Sequence, residues 1–177
     1  AKLVVSGPLW KGRLSFGTEE MFTNRRNDFT QSGFSADAFN HIRQSIYAGF
    51  LQYYLNIGRM NYGAGLRYEY QKTDYYEKDV LQAEQSPSYR DWIPFLSVGY
   101  SKDNLNLAFS YRLNKYSPIY SMLQSSIDYD SKYEYKSGDP HLKPQKQHSF
   151  NLSGNYKWLS FMAYYNYVLD MYMTWYK

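Results

Sequence analysis

The chain contains no cysteine, which excludes disulfides, thiolate metal sites and a thiol nucleophile. It has no apolar run near the roughly 18–20 residues of a membrane helix. Its first residues, Ala-Lys-Leu-Val-Val, lack the long apolar core and cleavage site of a signal peptide. A start at Ala1 without Met gives the expectation of a processed protein or an excised piece. The net charge is only +4, with no block of Lys and Arg on one face, so nucleic acid is not an expected partner.

What the chain does have is aromatic residues. Tyr occurs 22 times, Phe 10 and Trp 4 in 177 residues, yet the mean hydropathy is negative. The aromatics are therefore interleaved with polar residues rather than gathered into apolar blocks. Tyr and Trp pair a large apolar body with a polar tip, which suits a membrane–water boundary. A soluble Tyr-rich carbohydrate-binding β-sandwich would share this composition.

The dominant period is two. Between Tyr62 and Gln71, the residues Tyr62, Ala64, Leu66, Tyr68 and Tyr70 point one way, and Gly63, Gly65, Arg67, Glu69 and Gln71 the other. Leu105–Leu113, Phe150–Tyr156 and Trp10–Phe16 repeat the pattern. Tyr47–Leu55 and Leu159–Tyr167 alternate less cleanly, because Phe50, Tyr54, Met162 and Tyr164 fall on the polar side. Trp92–Tyr100 also reads as strand, with Pro94 near its start, where a missing N–H is tolerable.

Short turns are expected near Gly7-Pro8, near Gly58-Arg59, at Lys102-Asp103-Asn104 and near Lys157-Trp158. Long polar connections are expected between Thr23 and Arg43, Thr73 and Arg90, and Asn114 and Gln147. Short and long connections in alternation are the pattern of tight periplasmic turns and extended extracellular loops. The fold expected is all-β: an antiparallel up-and-down meander of about eight strands from a transmembrane β-barrel, forming a single segment over 1–177. In lipid every backbone N–H and C=O must be paired within protein, so strands survive only in a closed barrel.

Residues 138–145 read Gly-Asp-Pro-His-Leu-Lys-Pro-Gln, and Ser149, Phe150, Asn151 and Leu152 begin the next strand. This resembles the Gly-Asn-Pro-x-Leu-Lys-Pro-Glu signature in the barrels of TonB-dependent outer-membrane receptors. Asp139 and Gln145 depart from its usual Asn and Glu. Phe109-Ser-Tyr-Arg-Leu-Asn-Lys115 and Gly63-Ala-Gly-Leu-Arg-Tyr-Glu69 are similar to strands of the same family. The resemblance covers roughly residues 44–170. It implies an interior fragment of a barrel of about 22 strands, in the outer membrane of a Gram-negative bacterium. Such a receptor imports a scarce ligand with energy passed on by TonB, whose contacts and plug would lie in other parts of the parent chain. A small eight-stranded outer-membrane barrel, acting as an adhesin or structural protein, is the alternative.

The candidate site residues follow from this. In the motif loop, Gly138 permits positive φ, Asp139 stands at the Asn position, and Pro140 and Pro144 stiffen the return into the strand. Leu142 can anchor the loop while Lys143 stays in water. Tyr116, Tyr120, Tyr129, Tyr133 and Tyr135 form a candidate extracellular ligand surface. His41, His141 and His148 lack metal-ligand spacing. Asp128, Asp130 and Glu134 lack the spacing of a calcium loop. Ser149, His148 and Asp139 cannot form a triad, since adjacent strand residues point to opposite faces. No catalytic residue and no cofactor is expected; the expected partners are membrane lipid and an imported ligand.

Overall fold

The computed structural model describes residues 1–29, 38–77, 79–83, 86–123, 128–131, 134–136, 138–139 and 141–172. The strands are β1 (Lys2–Leu9), β2 (Gly12–Phe29), β3 (Ala38–Ile57), β4 (Met60–Glu77), β5 (Val80–Leu81), β6 (Ser88–Lys102), β7 (Leu105–Tyr116), β8 (Asp128–Ser131), β9 (Glu134–Lys136), β10 (Gln145–Tyr156) and β11 (Leu159–Leu169). One helical turn, α1 (Tyr120–Leu123), follows β7. Eight long strands form one antiparallel sheet in the order β1-β2-β3-β4-β6-β7-β10-β11. The short β5 folds back on β4, and β8–β9 is a separate hairpin. The fold is the expected meander, with Leu105–Leu113 paired to the His148–Tyr156 stretch of β10.

Four two-residue turns close one end, and each begins in the left-handed region: Trp10 (φ 57), Gly58 (φ 57), Asp103 (φ 48) and Lys157 (φ 51). A tight hairpin needs positive φ to match the twist of its strands. The first turn is therefore Trp10-Lys11, not Gly7-Pro8, which lie inside β1. Pro8 is tolerated there because β1 is an edge strand among the described residues. The Trp10 and Trp158 side chains at these turns are almost fully exposed. Indoles so placed fit a membrane interface far better than water.

The two faces of the sheet have the character expected from the alternation. In-register partners share a face, and the rows Tyr62–Val98–Phe109–Leu152 and Leu51–Leu66–Pro94 lie on one side. Arg67, Glu69, Ser110 and Asn151 lie on the other. The burial is inverted relative to a soluble protein. Leu51, Leu66 and Leu152 are 52, 43 and 43 % exposed, whereas Glu69, Gln71 and Asp91 are 9, 3 and 5 % exposed. Among the described residues no second sheet packs on the apolar side, which overturns the sandwich. A broad bare apolar face is unfavourable in water and is what a bilayer requires.

Strand lengths separate the membrane span from what lies above it. β7, β10 and β11 have 12, 12 and 11 residues, close to the ~9–11 needed to cross the hydrocarbon layer. β2, β3 and β4 have 18, 20 and 18. They rise past the layer by some eight residues, or about 25 Å of strand. The connections expected over Thr23–Arg43 and Thr73–Arg90 are thus largely strand. The apolar alternation fades there because no lipid faces those rows, so the sequence pattern underestimates strand length.

Pro94 is also not near a strand start. It lies in the middle of β6, paired with Leu66 of β4. It is tolerated because pairing of β6 with β7 begins only at Phe95↔Arg112, so on that side the ladder has ended.

Aromatic rings on the polar face are accommodated by glycine. Gly65 is the register partner of Phe95, and a Cβ on Gly65 would clash with the Phe95 ring. Gly65→Val is expected to lower stability by about 1–3 kcal/mol, the usual cost of overpacking. Urea unfolding in lipid would measure it, and Phe95→Ala in the same chain should return part of the loss. Equal losses with and without the ring would mean the contact is not the cause.

Candidate functional site

The polar face carries a line of alternating charge. The register row Lys2↔Glu19↔Ala48↔Glu69↔Asp91 crosses β1, β2, β3, β4 and β6. Ala48, small and buried, lets side chains from β2 and β4 meet above β3. Arg67 donates to Glu19 at 2.7 Å and to Glu69 at 3.2 Å. Lys115 Nζ meets Glu69 at 2.9 Å and Asp91 at 2.9 Å, and Lys146 Nζ meets Asp91 at 2.5 Å. Lys2 lies 4.0 Å from Glu19. Every carboxylate in the line stands between two cations.

Lys115 and Lys146 are the informative members. They are register partners on β7 and β10, where like charges should repel. By strict alternation both share the apolar side with Leu113 and His148. Above Phe95↔Arg112, however, β7 is released from β6. Its free end brings Leu113 and Lys115 to the polar side, where both line an open cavity of ≈ 560 Å³ with Arg67, Glu69, Ile93 and Tyr116. The Asp91 carboxylate then lies between the two ammonium groups.

The connection from β7 to β10 begins at this point, and its two ends, 117–123 and 142–144, fold over the polar face of the tall β3–β4–β6 wall. Ser117 Oγ donates to Gln71 Oε1 at 3.2 Å, and the Tyr89 hydroxyl reaches the Leu142 carbonyl at 3.5 Å. Pro118, Leu123, Leu142 and Pro144 pack over Ile42, Thr73 and Tyr75, leaving a void of ≈ 20 Å³, about one water. Tyr75 is buried to 1 % exposure. Among the described residues the nearest thing to a hydrophobic core is thus where the ends of this connection roof the polar face.

The motif residues take part in that roof. Pro144 is buried, Leu142 half-buried and Lys143 exposed. Asp139 Oδ1 accepts the His141 N–H at 2.8 Å, and the Asp139 N–H donates to the Met122 carbonyl at 2.7 Å. The first bond is a turn that Asn could make equally well, so Asp139 keeps the loop geometry. Gly138 is half-buried and engaged. Pro140 lies outside the described residues.

Of the five tyrosines, Tyr116 ends β7 and lines the larger cavity. Tyr120 opens α1. Tyr129 and Tyr135 are register partners in the β8–β9 hairpin. Tyr133 lies outside the described residues. The hairpin and Tyr116 are not joined by strand pairing. Asp91, Lys115, Lys146, Tyr75 and Tyr89 carry no motif or spacing that marks them in the sequence. Asp91 continues the polar parity of Ser97, Phe95 and Ile93, which a strand begun two residues earlier would have revealed.

A one-layer sheet with a bare apolar face, a charged polar face and turns all at one end defines a transmembrane β-barrel wall. A family model described as outer membrane protein beta-barrel family matches residues 1–175, and the chain belongs to that family. No curated protein matches the chain.

Proposed function

We propose that this chain is part of the barrel of a TonB-dependent receptor, which imports a ligand across the outer membrane. The observation that carries the reading is the roof: the connection bearing the Gly138–Gln145 motif lies over the polar face instead of standing free. A connection held there narrows the passage and offers Tyr116 and the motif loop to a ligand arriving from outside. The free edges of β1 and β11 among the described residues also suit a larger barrel, because lipid tolerates no open edge.

The test uses the intact parent gene in its own bacterium, grown on a panel of single limiting nutrients. The receptor reading expects one nutrient on which loss of the gene and loss of TonB each stop growth. On that nutrient, deleting Ser121–Lys136 should impair growth at least tenfold while the barrel still shifts on heating in gels. If the null strain grows normally wherever TonB is needed, the small structural barrel is the better account. If the deletion abolishes the barrel itself, the connection is structural.

A further inference from the structure

The apolar side of the sheet changes character where the tall strands leave the hydrocarbon layer. The row Thr18–Gly49–Tyr68–Trp92 is followed by Glu20–Tyr47–Tyr70–Arg90, then Phe22–Ser45–Lys72–Ser88, Asn24–Arg43–Asp74 and Arg26–His41–Tyr76. Apolar residues give way to an aromatic belt, in which Tyr68 and Trp92 pack at 4.8 Å, and then to cations. Arg90, Lys72, Arg43 and Arg26 are successive diagonal neighbours on β6, β4, β3 and β2. All four are exposed. Diagonal neighbours lie about 7–8 Å apart, so their side chains can contact one group of anions.

We infer that this line, chiefly Arg43, Lys72 and Arg90, binds phosphate groups on the headgroups of the outer leaflet's lipids. Three observations support it. The line faces the same way as Leu51 and Leu66, and so faces lipid rather than the passage. It lies directly beyond the aromatic belt, at the depth where headgroups begin. Its cations are set to donate: Arg90 lies over the Tyr70 ring at 5.8 Å and Arg43 over the Tyr76 ring at 5.5 Å. A ring face holds the guanidinium and leaves its N–H edge open for a phosphate fork. Two carboxylates, Glu20 and Asp74, share the patch. Asp74 holds the Lys72 ammonium with both carboxylate oxygens, at 3.0 and 3.2 Å, leaving it a further donor.

This inference rests on the chain being an outer-membrane barrel, not on its being a receptor. The full-length protein, purified in a neutral detergent, would be titrated with a bisphosphorylated glucosamine lipid and with the same lipid lacking phosphate. Retained lipid would be counted by native mass spectrometry. The wild type should hold the phosphorylated lipid more tightly by on the order of a hundredfold at low salt, taking each cation as a basic residue at an anionic surface. The Arg43→Gln, Lys72→Gln, Arg90→Gln triple variant should hold both lipids alike. A second triple at the turn end, Lys11→Gln, Arg59→Gln and Lys102→Gln, removes the same charge and should keep the preference. Equal retention of the two lipids by the wild type overturns the site, and this comparison stands even if the variant misfolds. Equal loss in both triples overturns it too.

Discussion

Asp91→Asn is expected to be the most damaging single change on the polar face. Asp91 lies between Lys115 and Lys146, which β7–β10 pairing forces opposite one another. Its own side chain and that of Lys115 are each 5 % exposed. Removing the negative charge leaves two facing ammonium groups, one of them with little access to water. Breaking a buried pair costs ~3–5 kcal/mol. Lys115 keeps its ion pair with Glu69 at 2.9 Å, and Lys146 is 36 % exposed and can turn outward, so the loss falls to about 1–3 kcal/mol. Denaturant unfolding in lipid should show that loss. Limited proteolysis should show earlier cutting between Asn114 and Gln147, because Lys115 is where that connection leaves the wall. Adding Lys115→Met should recover most of the stability. An unchanged midpoint and unchanged proteolysis would mean the ion line does not hold the roof.

Leu66→Arg should have a comparable effect for the opposite reason. Leu66 lies in the apolar row between Leu51 and Pro94, within the part of β4 that meets lipid. A cation at the midplane of a barrel's lipid face costs about 2–4 kcal/mol. Asn151→Arg, on the polar face, should change stability by less than about 1 kcal/mol, since the added cation stays in water. Folding yield into vesicles and the unfolding midpoint would report both changes. A harmless Leu66→Arg with a harmful Asn151→Arg would reverse the two faces.

The parts of this fold legible in sequence are those where one face meets lipid. The alternation Tyr62–Gln71 gave both faces of β4 correctly because each even residue must be apolar there. Beyond Lys72 that constraint lapses, and Asp74, Tyr75, Tyr76, His41 and Ile42 read as loop although they are strand. The break at Pro94 was legible as a proline but not as the release of β7 from β6, since pairing is a property of two segments. The ion line was hidden for the same reason: its members come from six strands, and Lys115 carries the wrong parity until β7 is freed. The roof was legible only as a motif, because the burial of Leu142 and Pro144 depends on Tyr75 and Tyr89, far away in sequence.

The central claim is that the exposed apolar face meets lipid and the buried polar face does not. Because the chain has no cysteine, single Cys substitutions from Tyr62 to Gln71 can each carry a spin label without background. In vesicles, labels at positions 62, 64, 66 and 68 should relax with membrane-dissolved oxygen, and labels at 67 and 69 with a water-soluble nickel chelate. That two-residue alternation is the predicted result. Uniform access to the nickel chelate, or alternation in the opposite phase, would contradict the account.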